Sequence, residues 1–378
     1  MMKTKIILAL LQCLVYSIGF ANSSIVHLPN TASDFKYTKK KTINANFDAG
    51  KEYTLNLSGN FSSYDIKTWD EDYIGFHVEI IAKSVTEKIA EELLHDIDVE
   101  FKNSKANNTI YAKTVINSRR HKNIYLSISY YIMIPKDLYL IINSSYGDVT
   151  IDKLTRDFIL DLDFADLTID SLMAYSNLDV SYGDTKIKYA TKMDADIDFG
   201  GIRLKTINDL NVKINYGDCN IGNVKTLKAD CDFSDFSCSY AEAAIVDVNY
   251  SDAHFDEVEE VKINNSFSDV EVDYLIKKIT INSNYGDIEI NKVNSDFELI
   301  DIHSKFADTE IHLNENQSLS YDIKVSHGSI TNNIFKEKAN RYIKEDDKIT
   351  AIGNINDNDK LHNIKIDALY GDVEIDFE

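Results

Sequence analysis

The chain has 378 residues, 62 of them acidic and 40 basic, for a formal net charge of −22, and 44% are hydrophobic. This globular composition excludes disordered and collagen-like classes, and the acidity excludes nucleic acid as a partner, because phosphate binding needs clustered Lys and Arg. Only 2 prolines occur where ~5% is ordinary, so regular structure is expected through most of the chain.

Met1 to Ala21 reads as a secretory signal. Lys3 and Lys5 precede an apolar run from Ile6 to Phe20, and Gly19-Phe20-Ala21 offers a cleavage site. The run is shorter than the ~20 residues a membrane-spanning helix needs. Gln12 stands where lipoprotein processing at Cys13 wants a small residue. No later segment is long and apolar enough to span. The expected mature protein is exported, soluble and acidic: periplasmic or surface-exposed in a Gram-negative bacterium, or secreted.

Residues 22–143 are expected to form a β-rich cap with one short helix. Strands are read at Asn44 to Asn56, Tyr64 to Trp69, Gly75 to Ala82, Asp98 to Lys102, Tyr111 to Asn117 and Ile124 to Ile132. The last two flank the polar turn Ser118 to Asn123. Thr86 to His95 reads as a helix capped by Ser84 or Thr86, with Ile89, Leu93 and Leu94 on its apolar side. The basic run Lys39-Lys40-Lys41 and the tip Arg119-Arg120-His121-Lys122 read as solvated segments. Pro135 marks the hinge into the next region.

Residues 144–378 are a repeat array. An aromatic anchor, a small residue and usually Asp recur at Tyr146 (YGDVTID), Phe164, Tyr182, Phe199, Tyr216, Phe233, Tyr250, Phe267, Tyr285 and Phe306, mostly 17 or 18 residues apart. His327 begins a degenerate copy, and Tyr370 (YGDVEID) closes the chain. Apolar residues three and five positions after each anchor alternate with polar ones, as in Val149, Thr150 and Ile151, which marks a strand with one buried face. Another apolar column lies eight positions after the anchor, including Leu154, Ile207 and Val258. A second strand precedes each anchor, as in Val212 to Tyr216, and there the aromatic shares parity with the inward residues.

These columns predict an all-β, single-stranded β-solenoid, with coils ~4.8 Å apart and right-handed crossovers as the general expectation. Ladder strands cannot spare a donor to proline. Tyr and Phe alternate along the anchors. Either one ladder alternates or coils of ~35 residues carry two ladders, and one coil per repeat is favoured. Residues 335–359 are expected to be an irregular excursion before Tyr370 to Phe377 seals the end. Parity places Cys219, Cys231 and Cys238 inside as packed thiols.

The strongest functional candidates are the carboxylates two positions after the anchors: Asp148, Asp166, Asp184, Asp218, Asp235, Asp252, Asp269, Asp287 and Asp308. In a single-coil stack they lie about 5 Å apart and repel. An Asx-type turn at each bend is the favoured explanation, with each carboxylate accepting N–H groups of its own bend. Ca²⁺ between coils is the alternative, although the Gly-rich nonapeptide of known calcium solenoids is absent. Otherwise no cofactor is expected. His254 and His312 read as isolated outward residues. The anchors could present a sugar-binding face, but their inward parity favours packing. Catalytic motifs are missing, and a polysaccharide-cleaving site would break the pattern at one place.

The stretch YYIMIPKDLYLIINSSYGDVTIDKL (Tyr130 to Leu154), the YGD and FAD units after it and the earlier IKTWDEDYIGFHVEI resemble DUF4097-type adhesin domains, related to the head-domain adhesin-like proteins of Bacteroidota. That resemblance implies an exported β-solenoid with no catalytic residues to carry over. The expected function is a non-enzymatic, adhesin-like binding or structural module of the bacterial envelope. Its partner would be an envelope or extracellular glycan or protein. The alternatives are a carbohydrate-active enzyme of the parallel β-helix type and a calcium-stabilised surface scaffold.

Overall fold

The computed structural model describes residues 35–377 apart from 51, 118–123, 316 and 357–361. The expected signal and the Arg119 to Lys122 tip lie outside the described residues. The described residues are 72% strand and 4% helix, with about 10 turns of ~18 residues forming the solenoid. The all-β solenoid expected from the period is the observed fold.

One repeat makes one coil. In the strand Ile202–Asn215, the residues Ile202, Leu204, Ile207, Leu210, Val212 and Ile214 are buried while most of those between face out. Each coil pairs in parallel register with the next, so that Ile202 lies opposite Cys219 and Ile214 opposite Cys231. The inward columns therefore run continuously along the axis, and each coil is buried by its neighbours. Cys219, Cys231 and Cys238 are buried and free, as their parity predicts. Burial pushes the Cys238 thiol up to about 12, and hydrogen bonding to Cys231 together with burial also raises Cys219.

Both ends depart from sequential stacking. The coil of residues 54–69 is inserted between later ones. Thr54–Asn60 pairs with Thr109–Ile116 on one side and Tyr139–Ser145 on the other, and Ser62–Trp69 pairs with Ile124–Pro135 and Val149–Leu154. Thr109–Ile116 and Ile124–Pro135 thus belong to one coil. Beyond it, Ile97–Ser104, Tyr73–Ser84 and Tyr37–Asp48 add antiparallel strands. The segment read as one strand from Asn44 to Asn56 breaks after Asp48. The helix Glu87–His95 is capped by Thr86, whose hydroxyl accepts from the Ile89 N–H.

Lys39, Lys40 and Lys41 are part of an edge strand and not a solvated loop. They pair with Glu87 and Glu91, Glu79 and Asp98 respectively. Lysines on an edge also discourage pairing with another chain.

At the other end Tyr370 to Phe377 does not seal the stack. His362–Leu369 lies between Leu299–Lys305 and Leu319–Ser326, pairing in parallel with both. The seal is a hairpin of Ala339–Glu345 and Lys348–Ile355, laid antiparallel on Leu319–Ser326. A short helix, Ile334–Glu337, leads into it and buries Phe335. No helix among the described residues is long and apolar enough to cross a membrane.

Candidate functional site: an aromatic ladder between carboxylate files

Thirteen residues at the same bend of successive coils, from Phe61 through Tyr370 and including His327, have φ between 53° and 64°. That left-handed conformation costs a non-glycine residue ~1–2 kcal/mol. One such residue per coil reverses the side to which the backbone points its side chain. The anchors therefore face solvent, 38–52% exposed from Tyr146 to Phe306. Inward packing, expected from parity, is wrong for this column because parity counting assumes an unbroken extended backbone. The small residue that follows lies against the neighbouring coil: a Cβ on Gly183 would be 1.8 Å from the Ala165 carbonyl oxygen. The main-chain ladder survives the bend, with Tyr216 N–H donating to Asp232 O and Cys219 N–H to Asp235 O.

The exposed rings form a single stack. Centroids lie 4.6–5.1 Å apart from Phe61 to Tyr370, and beyond Tyr146 the planes are within 8° of parallel. His327 stacks on Tyr370 at 4.6 Å. Parallel planes at this separation correspond to offset stacking, which the aromatic quadrupole favours. Tyr and Phe thus alternate in one ladder, and tyrosine hydroxyls recur at every second coil. Phe61 belongs to the stack, yet it stands 85 residues before Tyr146 in sequence and is missed by a search for regular spacing.

Beside the rings runs the predicted Asp file, all nine members outward and exposed. Its hydrogen bonds run between coils and not within each bend. Asp148 Oδ1 accepts from Asp166 N–H at 3.0 Å, Asp166 from Asp184 at 2.9 Å and Asp184 from Gly201 at 3.1 Å. Likewise Asp252 accepts from Asp269, Asp269 from Asp287 and Asp287 from Asp308, at 2.8–3.0 Å. At these positions and at Asp308, which accepts from Asp372 N–H, the parallel register sets the carboxylate against a neighbouring coil's amide, and a charge-assisted bond offsets part of the repulsion.

A second acidic file flanks the opposite side of the rings, one and three positions before the anchors. It contains Asp161, Asp163, Asp179, Asp196, Asp198, Asp230, Asp232 and Asp247. Partial burial, then neighbouring aspartates, raise the carboxyls of Asp163, Asp179 and Asp230 above the usual range. Sequence reasoning passed over this file, although DLDF, DADIDF and DCDF display it.

His254 is outward, as expected, but not isolated. Its Nδ1 lies 3.1 Å from Glu271 and its Nε2 2.9 Å from Asp256 and 3.6 Å from Asp273. Burial alone would lower its pKa, but hydrogen bonds to Glu271 and Asp256 outweigh that and raise it. The ring borders an open groove of ≈ 750 Å³ lined by Asp218, Asp235, Asp252, Asp269, Asp287 and Glu289 among others. His312 pairs with Glu310 at 3.0 Å.

The Toastrack DUF4097 family profile matches residues 56–376, most of the chain. The chain belongs to the Toastrack DUF4097 family. Solved structures similar to this Toastrack chain include an adhesin-like protein from Bacteroides fragilis, at 14% identity over 66% of this chain and 96% of that one, with a TM-score of 0.35. Another, from Parabacteroides merdae, shares 10% identity over 89% and 96% of the two chains, with a TM-score of 0.28. A cell-adhesion-like protein from Clostridium sporogenes shares 10% over 90% and 100%, with a TM-score of 0.19. No curated protein matches the chain.

Proposed function

We propose that this Toastrack protein is an exported, non-enzymatic, adhesin-like module of the bacterial envelope. It engages a glycan or protein of the envelope or the extracellular space through the aromatic ladder and its flanking carboxylates. The observation that carries this reading is the continuous stack of rings from Phe61 to His327, exposed from Tyr146 onward. At ~4.8 Å per coil it forms an apolar strip roughly 55–60 Å long. Contiguous exposed apolar surface of this extent marks interaction sites.

Stability alone is a weak reason for such a strip. Each stacked pair contributes ~0.5–1.5 kcal/mol beyond area burial, while each left-handed anchor costs ~1–2 kcal/mol. The two effects are of similar size. An envelope partner would use the strip as a flat, rigid platform with a polar hydroxyl at every second rung and charge on both margins.

Screening the purified protein against immobilised glycans, peptidoglycan and envelope proteins tests the reading. Saturable binding supports it. Sustained turnover of a polysaccharide contradicts it and would favour the carbohydrate-active reading, whose acids would have to lie in the groove beside His254.

A further inference from the structure

His254 occupies a position filled differently in other coils. The residues at the equivalent outward place are Thr168, Lys186, Arg203, Asn220 and Ser237 before it. His254 and Asp256 stand two apart on the strand Ala253–Ser266 and so share a face. On the next coil Glu271 lies directly opposite His254 in parallel register. Asp273, two residues on, shares that outward face of Val270–Asn284 and completes a square of four side chains on rigid, adjacent strands. One ligand atom each from His254, Glu271 and Asp273 can be drawn so that all lie within 4.8 Å of one another.

The imidazole distinguishes this square from the aspartate file. Both ring nitrogens are directed at carboxylates. A neutral imidazole has one donor and one acceptor, so it would turn a lone pair on a carboxylate. The arrangement is complete only when a cation, a proton or a metal ion, sits between ring and carboxylate. With the metal on Nδ1, the nitrogen that Glu271 faces, Nε2 keeps its N–H on Asp256. A carboxylate on the free N–H fixes ring orientation and increases ligand basicity. The neighbouring acidic groove would raise the local cation concentration.

We propose that His254, Glu271 and Asp273 form a surface site for a divalent first-row transition metal ion, with Asp256 positioning the imidazole. One nitrogen and two carboxylates suit Zn²⁺ and its neighbours, whereas Ca²⁺ and Mg²⁺ take oxygen ligands. Bonds of about 2.0–2.1 Å place tetrahedral ligand atoms roughly 3.3 Å apart. The half-exposed side chains would close to that spacing by rotation, Asp273 turning from the Nε2 side of the ring towards Glu271, with water in the remaining positions.

Calorimetric titration of the full-length mature protein with Zn²⁺ tests the site, with Ca²⁺ and Mg²⁺ as controls. The expected result is one Zn²⁺ per chain with a Kd below about 10 µM. His254→Ala should weaken it at least ~10-fold, and Glu271→Gln or Asp273→Asn should do likewise. His312→Ala should leave binding unchanged. Absorption of the Co²⁺-loaded protein gives a second readout, and its ligand-field bands should be lost in His254→Ala. Circular dichroism and melting of each variant separate loss of the site from loss of the fold. Equal Zn²⁺ affinity in wild type and a folded His254→Ala variant overturns the proposal, because the ion would then be held by diffuse surface charge. So does the absence of stoichiometric Zn²⁺ binding by the wild type.

Discussion

The rings of Phe199 and Tyr216 lie parallel within 3°, 5.0 Å between centroids, and both residues have left-handed backbone, at φ 55° and 58°. The same backbone torsion that strains each residue turns its ring out of the core and onto its neighbour's. Stack and strain therefore belong to one device.

That coupling predicts an unusual order of substitutions. Tyr216→Ala loses the stack and keeps the strained backbone, so it should destabilise the protein by about 1–3 kcal/mol. Tyr216→Gly also loses the stack but relieves the strain, and should be the milder change by roughly 0.5–1.5 kcal/mol. Urea denaturation of the two variants checks this. In an ordinary strand the order is reversed.

How far the sequence reveals this architecture depends on what each residue can report locally. Alternation of Val149, Thr150 and Ile151, repeated each coil, shows the buried faces because side-chain direction has period two in a strand. It misplaces Tyr216 because one left-handed residue cancels the parity. A subtler sign was available: the inward columns accept Ala190, Cys219 or Phe236, whereas the anchor column holds large flat rings from Tyr146 to Phe306. The recurring Asp marks the file, but local sequence points its acceptor role into the bend because the next coil's amide is 17 or 18 residues distant. The insertion of Tyr370 between Phe306 and His327 leaves no local trace, since all three begin similar units.

That insertion makes the tail a structural keystone. Ile366 is buried between coils, and Ile366→Ala should cost about 2–5 kcal/mol. Because coils contact only their neighbours, hydrogen exchange should accelerate in Leu319–Ser326 and in the hairpin beyond it, and stay unchanged in Ile202–Asn215. Uniform acceleration along the solenoid would contradict the observed stacking order.

The second acidic file predicts a pH dependence. Asp163, Asp179 and Asp230 hold protons more tightly when folded than when unfolded. Their penalty is complete at neutral pH, shrinks on acidification through the folded pKa, and is gone below the unfolded value near ~4. Tm should therefore rise as the pH falls from 7 towards the unfolded carboxylate value near ~4. Asp179→Asn should raise Tm at pH 7 and flatten the rise. A steady fall of Tm over the same interval would count against this account.

Repulsion along the Asp148 to Asp308 file is countered by amide donors from neighbouring coils. Raising NaCl from low to about 0.5 M should therefore increase Tm by screening what repulsion remains. Calcium or a chelator should leave Tm unchanged at constant ionic strength. A calcium-dependent rise of several degrees would instead support the calcium-stabilised scaffold.

The claim that the ring strip is the binding face is tested most directly by a triple substitution. Tyr182, Tyr216 and Tyr250 are replaced by Gly, and binding is measured on the same array of immobilised glycans, peptidoglycan and envelope proteins. Lys225→Ser, at an exposed position away from the anchors, serves as the control. The account predicts that the folded triple variant loses at least ~10-fold in affinity, roughly 1.4 kcal/mol, for the partner the wild type binds, while Lys225→Ser binds normally. Undiminished binding by a folded triple variant would contradict it.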